Sequence, residues 1–187
     1  MRVIAGKARR IQLKTISGND TRPTTDRIKE TLFNILQPDL YDSTFLDLFS
    51  GSGAIGIEAL SRGAAEAVFV ENNKEAVKCI EENLKNTRLN DYAVIKPLDV
   101  ITAIRRLDGR EAFSFVFMDP PYKSRVEKSV LDELALTSLV DENTVIIIEA
   151  SLDNDFSFAE DMGFEITREK CYKTNKHVFL RYTQGEK

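Results

Sequence analysis

The chain has 187 residues, 42% of them hydrophobic and 30% charged, with a net charge of −4. That length can bury one substantial core, and that composition excludes a disordered chain. No stretch approaches the ~20 apolar residues of a membrane span. Two cysteines, Cys79 and Cys171, and one histidine are too few for a disulfide framework or a Cys/His metal centre, so no metal is expected.

The first residues lack the apolar run of a signal peptide, and a cytoplasmic location is expected. Residues 2–4 and 11–13 read as two short strands of a hairpin around a basic loop. Residues 1–29 carry eight basic side chains against two acidic ones, a net of +6 that leaves −10 for the remainder. Such asymmetry suggests a basic arm on an acidic domain, able to bind phosphates locally. A merely solvated basic terminus has the same pattern. Residues 17–20 are turn-rich. A helix then opens near Asp26, with a threonine as cap and Asp26 in its first turn. Ile28, Leu32, Phe33, Ile35 and Leu36 make its apolar stripe, and Pro38 is expected to end it.

From residue 45 the pattern alternates strand and helix. Strands are predicted at 45–49, 67–70, 93–96, 113–118 and 144–148. Helices are predicted at 54–61, 74–87, 101–107, 126–135 and 156–162. Residues 165–172 and 177–182 close the chain as an antiparallel pair. Near-continuous apolar strands separated by helices predict a mostly parallel α/β sheet covered on both faces. Ligands of such sheets bind at the C-terminal strand ends. Two segments follow: 1–40 as a basic extension and 41–187 as the catalytic domain. His177 has no partners near it in sequence and is expected at the surface or a sheet edge, without a role.

The first strand ends in Asp47-Leu48-Phe49-Ser50-Gly51-Ser52-Gly53-Ala54-Ile55-Gly56. Its glycines let the backbone turn sharply and approach a ligand. Gly51-x-Gly53-x-x-Gly56 also fits the dinucleotide fingerprint, with Glu71 placed to bond a ribose. Asp47 argues for a different ligand. A carboxylate there repels a pyrophosphate and attracts the ammonium of S-adenosylmethionine. Asp99, after the third strand, is either an acceptor for the adenine amine or only a helix cap.

After the apolar run Phe113-Ser114-Phe115-Val116-Phe117-Met118 comes Asp119-Pro120-Pro121-Tyr122. The Asp119 carboxylate and the Pro120 carbonyl can each accept one hydrogen of a planar amine. The prolines fix φ near −65° and pre-aim both acceptors. Tyr122 offers a ring for stacking. An ordinary Pro-Pro turn is the plainer alternative.

The Gly turn and this tetrapeptide together resemble the class I S-adenosylmethionine-dependent amino-methyltransferases. Arg2-Val3-Ile4-Ala5-Gly6-Lys7-Ala8-Arg9-Arg10-Ile11-Gln12-Leu13 and the stretch from Thr21-Arg22-Pro23-Thr24 to Leu36 narrow the likeness. The chain resembles, over essentially its whole length, the bacterial RsmD family of small-subunit (16S) ribosomal RNA guanine-N2 methyltransferases. The resemblance implies a Rossmann-like, mostly parallel seven-stranded sheet with a C-terminal antiparallel hairpin, plus a small N-terminal β-hairpin/helix extension. It implies catalytic roles for Asp119, Pro120 and Tyr122. It implies cofactor contacts from Asp47, Phe49, Ser50, Gly51, Ser52, Gly53, Glu71, Asn72, Asp99, Val100 and Thr24. It implies RNA contacts from Arg2, Lys7, Arg9, Arg10 and Arg22. S-adenosylhomocysteine would be the product, and the partner naked RNA or the assembled 30S particle, met by a monomer with no membrane association. One departure is Lys173, where the family commonly has a glycine after the aromatic Tyr172. The rival readings are a DNA adenine or cytosine methyltransferase, a protein-glutamine methyltransferase, an NAD-dependent oxidoreductase and a non-catalytic RNA-binding module.

Overall fold

A computed structural model of the chain describes residues 1–16, 25–121 and 126–183, and resolves into two units, Met1–Leu98 and Asp99–Lys187. In the first, β1 (Thr44–Leu48), β2 (Glu66–Val70) and β3 (Ala93–Lys96) run parallel, Leu46 opposite Val68 and Phe69 opposite Ile95. Phe45, Leu46, Leu48 and all of Ala67–Val70 are buried, as strands covered on both faces require. Helix α3 (Lys74–Thr87) buries Ala76, Cys79, Ile80, Asn83, Leu84 and Thr87, the three-and-four spacing of a one-sided helix. Asn73 caps it by accepting from the N–H groups of Glu75 and Ala76.

Helix α1 (Asp26–Leu40) is capped by Thr25, whose hydroxyl accepts from the Ile28 N–H at 3.3 Å. It does not stop at Pro38. Pro38 sits in the last turn, where the missing donor leaves only the carbonyl of exposed Asn34 without its helical partner. Leu40 is wholly buried, and Ser43 bonds its carbonyl through both Oγ (2.7 Å) and N (3.3 Å), so packing carries the helix past the proline.

Helix α2 (Ala54–Ser61) is buried along its entire length, which follows from the N-terminal arm lying over it. Its two polar residues hold that arm. Glu58 accepts from the N–H groups of Ile4 (2.8 Å) and Ala5 (3.0 Å), and Ser61 Oγ accepts from Ala8 N and donates to the Ala5 carbonyl. The expected hairpin is present: Arg2 stands opposite Gln12, and the N–H groups of Val3, Leu13 and Arg10 donate to the carbonyls of Ile11 (3.0 Å), Met1 (3.0 Å) and Val3 (2.9 Å), while Glu58 takes the donors of Ile4 and Ala5. Lys29 and Arg62 complete a buried ion cluster on Glu58, at 3.0 and 2.8 Å. Burial lowers the Lys29 ammonium pKa, against the opposing pull of Glu58.

In the second unit β4 (Phe115–Met118) and β5 (Val145–Ser151) are parallel, and β7 (Asn175–Tyr182) runs antiparallel to both β5 and β6 (Phe164–Cys171). Helices α4 (Val100–Leu107), α5 (Glu127–Ala135) and α6 (Phe158–Asp161) complete it. The strand order is β3-β2-β1-β4-β5-β7-β6, the mostly parallel sheet that was expected, with an antiparallel strand inserted near its end. That insertion corrects the reading of His177. Strand β7 is interior, and His177 is 0% exposed, opposite Glu149 of β5. Among the described residues, no helix is long and apolar enough to cross a membrane.

Candidate active site

In the first unit the turn after β1 brings the predicted cofactor residues together. Asp47 is 1% exposed, and its Oδ2 accepts from the Gly56 N–H at 3.0 Å. Burial pushes its carboxyl up to about 7; the Gly56 N–H pulls it back and the charge of Glu71 pushes it further. An acid so placed calls for a cation. Phe49 turns the chain with φ +59°, a left-handed conformation that costs a non-glycine residue about 1–2 kcal/mol. Ser50 fastens the turn, its Oγ donating to the carbonyls of Asp47 (2.6 Å) and Val70 (3.2 Å). Gly51 and Gly53 also have positive φ, +54° and +75°. A side chain at Gly51 would meet no heavy atom within 4 Å, so the turn faces open space.

Glu71 follows β2. Its Oε2 accepts from the Gly51 N–H at 2.9 Å and its Oε1 from the Asn73 N–H at 2.8 Å, so it clamps the turn. A carboxylate has about four acceptor sites, and about two remain for outside donors. Ser52 is held from below, its carbonyl accepting from Nδ2 of buried Asn83 at 3.0 Å. Asn72 is exposed. Gly56 has a packing role: a Cβ there would stand 2.4 Å from the Phe69 ring.

The expected arm residues are in the same unit. Arg2 pairs with Asp26 at 3.0 Å, and the Lys7 ammonium lies 5.4 Å from the centre of the Tyr92 ring. Arg9 and Arg10 are exposed and make no ion pair among the described residues. Arg22, Thr24 and Tyr122, each assigned a role above, lie outside the described residues.

In the second unit Asp99 caps α4, its Oδ1 accepting from the Thr102 N–H at 2.9 Å. Hydrogen bonds from the Thr102 side chain and N–H hold its carboxyl below the usual range. The helix-cap reading is therefore realised, and Val100, the first helical residue, is buried. Asp119 is half-buried and Pro120 buried, directly after the fully buried β4.

Sequence reasoning missed a polar cluster in this unit. Glu149 accepts from His177 Nε2 (3.2 Å) and Asn175 Nδ2 (2.6 Å), and Tyr172 Oη lies 3.1 Å from His177 Nδ1. The signal was present. Glu149 is an acid in the run Val145-Ile146-Ile147-Ile148-Glu149-Ala150, and an acid in a buried strand needs a partner.

The family described as conserved hypothetical protein 95 matches residues 1–181. The chain is 37% identical to a Bacillus subtilis protein named "Putative rRNA methyltransferase YlbH", over 92% of this chain and 94% of that one. It is 30% identical to Ribosomal RNA small subunit methyltransferase D of Escherichia coli, over 100% of this chain and 92% of that one. A solved structure called "Putative methyltransferase yhhF", also from Escherichia coli, superposes with a TM-score of 0.86 at 28% identity, covering 99% of both chains.

Proposed function

This chain belongs to the RsmD family of methyltransferases, and on that footing we propose that it transfers the methyl group of S-adenosylmethionine to the exocyclic N2 of a guanine in small-subunit ribosomal RNA. The observation that carries the reading is a Gly-rich turn held between two acids, Asp47 and Glu71. Those acids suit a ligand with an ammonium and a ribose diol, and they disfavour a pyrophosphate. Full-length likeness to a protein named for the small-subunit ribosomal RNA supports the choice of acceptor.

S-adenosylmethionine, held by these residues, would supply an electrophilic methyl on its sulfonium, with S-adenosylhomocysteine as the product. Asp47 receives the ammonium, and the backbone of Phe49-Ser50-Gly51-Ser52-Gly53 follows the methionine portion. Glu71, with Asn72 beside it, receives the ribose hydroxyls. Asp99, besides capping its helix, would lie with Val100 at the adenine. The Arg22-Pro23-Thr24 segment, outside the described residues, would serve the cofactor or the substrate.

The target amine is a poor nucleophile because its lone pair is delocalised into the ring. Asp119 and the Pro120 carbonyl accept its two hydrogens and favour a pyramidal nitrogen. Tyr122 stacks on the base, which must leave its helix to be reached. Asp119 need not be a strong base, since the amine becomes acidic only as the methyl arrives. Orientation is the main contribution of these residues. Arg2, Lys7, Arg9, Arg10 and Arg22 hold the surrounding phosphates. The enzyme acts as a cytoplasmic monomer.

The test is transfer of tritiated methyl to ribosomal RNA from cells lacking the gene, as naked RNA and as assembled particles. Label in one small-subunit position supports the reading. Label only in DNA, or only in protein, overturns it.

A further inference from the structure

Asn83 of α3 bonds the Gly-rich turn and the N-terminal arm at once, and the mechanism above leaves it unused. It is 0% exposed. Its Nδ2 donates to the carbonyls of Ser52 and Lys14, each at 3.0 Å. Its Oδ1 accepts from the Lys14 N–H at 2.8 Å. These partners fix the orientation of the amide, since two carbonyls need donors and one N–H needs an acceptor. Lys14 is thus gripped as a residue in a sheet would be, through its N–H and its carbonyl together. The Cys79 thiol donates to the same carbonyl at 3.4 Å, and the Lys14 ammonium pairs with Glu82. All three partners belong to α3.

Each end of this bridge is continuous with an element assigned above. Ser52 sits between Gly51, whose N–H is held by Glu71, and Gly53, whose N–H donates to the Ser50 carbonyl at 2.7 Å. Lys14 directly follows the hairpin, where Leu13 bonds Met1 and Val3 bonds Ile11. Arg9 and Arg10 stand in the hairpin's loop, and Arg10 takes a φ of +73° with its N–H on the Val3 carbonyl. The other side of the arm rests on α2, which begins directly after the turn. The arm therefore spans the two helices that flank the turn. Asn83 is enclosed, and its side chain has only two torsions. A displacement of Ser52 must carry Lys14 with it or leave a buried polar group unbonded, which is costly.

Resting on the assignments of the turn to S-adenosylmethionine and of the arm to RNA, we propose that Asn83 is a positioning residue that couples the two, so that cofactor and RNA each bind more tightly when the other is present. A cofactor lying along residues 49–53 favours the arrangement in which Ser52 meets Asn83, and that arrangement seats Lys14 and the hairpin behind it. Phosphates held by Arg9 and Arg10 favour the same seating from the other end. Two ligands that favour one arrangement bind cooperatively, and the coupling is reciprocal. RNA is thereby taken up chiefly by enzyme that already carries the methyl donor.

S-adenosylhomocysteine tests this, because it keeps the amino-acid portion and permits no turnover. Small-subunit ribosomal RNA from cells lacking the gene, naked and as assembled particles, is titrated with the full-length protein in filter binding, with and without saturating S-adenosylhomocysteine. The wild type is expected to bind about fivefold or more tightly with it, the lower end of usual couplings. Asn83→Ala should bring that factor close to one, while the affinity for each ligand alone changes much less. A merely structural role would weaken both ligands and leave the factor standing. Hydrogen exchange on the wild type needs no variant: S-adenosylhomocysteine should slow exchange of the Lys14 amide, whose proton rests on Asn83, as well as of the turn. Protection confined to the turn, a wild-type factor near one, or an unchanged factor in Asn83→Ala would overturn the proposal. A wild type that binds RNA but no S-adenosylhomocysteine would remove the cofactor reading of the turn. One that binds S-adenosylhomocysteine but neither form of the RNA would remove the RNA reading of the arm. This inference would fall with either.

Discussion

Asp47 in the first unit takes its hydrogen bond from a backbone N–H, whereas Glu149 in the second takes its bonds from the side chains of His177 and Asn175. Glu71 follows Asp47, accepting from the N–H groups of Gly51 and Asn73. Backbone donors are fixed once the strands and the turn have formed, so substitutions around them leave the acids in place. Side-chain donors are replaceable one at a time. The first arrangement suits an invariant ligand such as a cofactor. The second is broken by a single substitution.

Asp119 is the position most sensitive to substitution. Asp119→Ala should lower methyl transfer by about 10³-fold, within the usual range for mis-orienting a reacting group, while cofactor affinity measured by calorimetry stays within about twofold. Undiminished transfer would remove the amine assignment. Asp47→Asn should act the other way round, weakening cofactor binding by about 10- to 100-fold, the value of a lost charge-assisted bond, whatever RNA is offered.

Asp47 also makes a prediction about pH. Its carboxyl is raised from 3.8 to about 7 in the folded protein, so its contribution to stability is present in acid and is lost as pH rises towards 7. The unliganded protein should therefore become easier to unfold across that interval. Cofactor affinity should rise over the same interval, because the ammonium needs the carboxylate. Denaturant titrations and calorimetry at several pH values measure both slopes, and Asp47→Asn should flatten both.

A smaller effect sharpens the role of the glycines. Gly56→Ala should lower the melting temperature by several degrees, from about 1–3 kcal/mol of overpacking against Phe69, with little change in cofactor affinity. Smallest of all in free energy, neutralising Arg9 and Arg10 together should reduce the slope of log affinity against log salt by about 1–2 for RNA binding. An unchanged slope would show that the arm's charges do not meet phosphates.

Much of this was legible in the sequence. Helices α2 and α3 begin and end where periodicity and the Gly and Asn signals placed them, and the insertion of β7 follows the family pattern. The acids of the Gly turn were legible for the same physical reason, since Asp47 interrupts an apolar strand. Three features were not. Pro38 reads locally as a stop, but burial of Leu40 outweighs one missing hydrogen bond. The N-terminal hairpin forms as read, but its anchoring, with the N–H groups of Ile4, Ala5 and Ala8 on Glu58 and Ser61, depends on a helix some fifty residues away. His177 reads as an edge residue because strand neighbours are set by topology; only the strand order puts it opposite Glu149.

The most direct test of the central claim is identification of the methylated nucleoside. Small-subunit RNA from cells lacking the gene is labelled by the purified enzyme, digested completely and resolved by chromatography with mass detection. Label is expected only in N2-methylguanosine. Label in N6-methyladenosine or N4-methylcytidine, or RNA that stays unlabelled both naked and assembled, would contradict it.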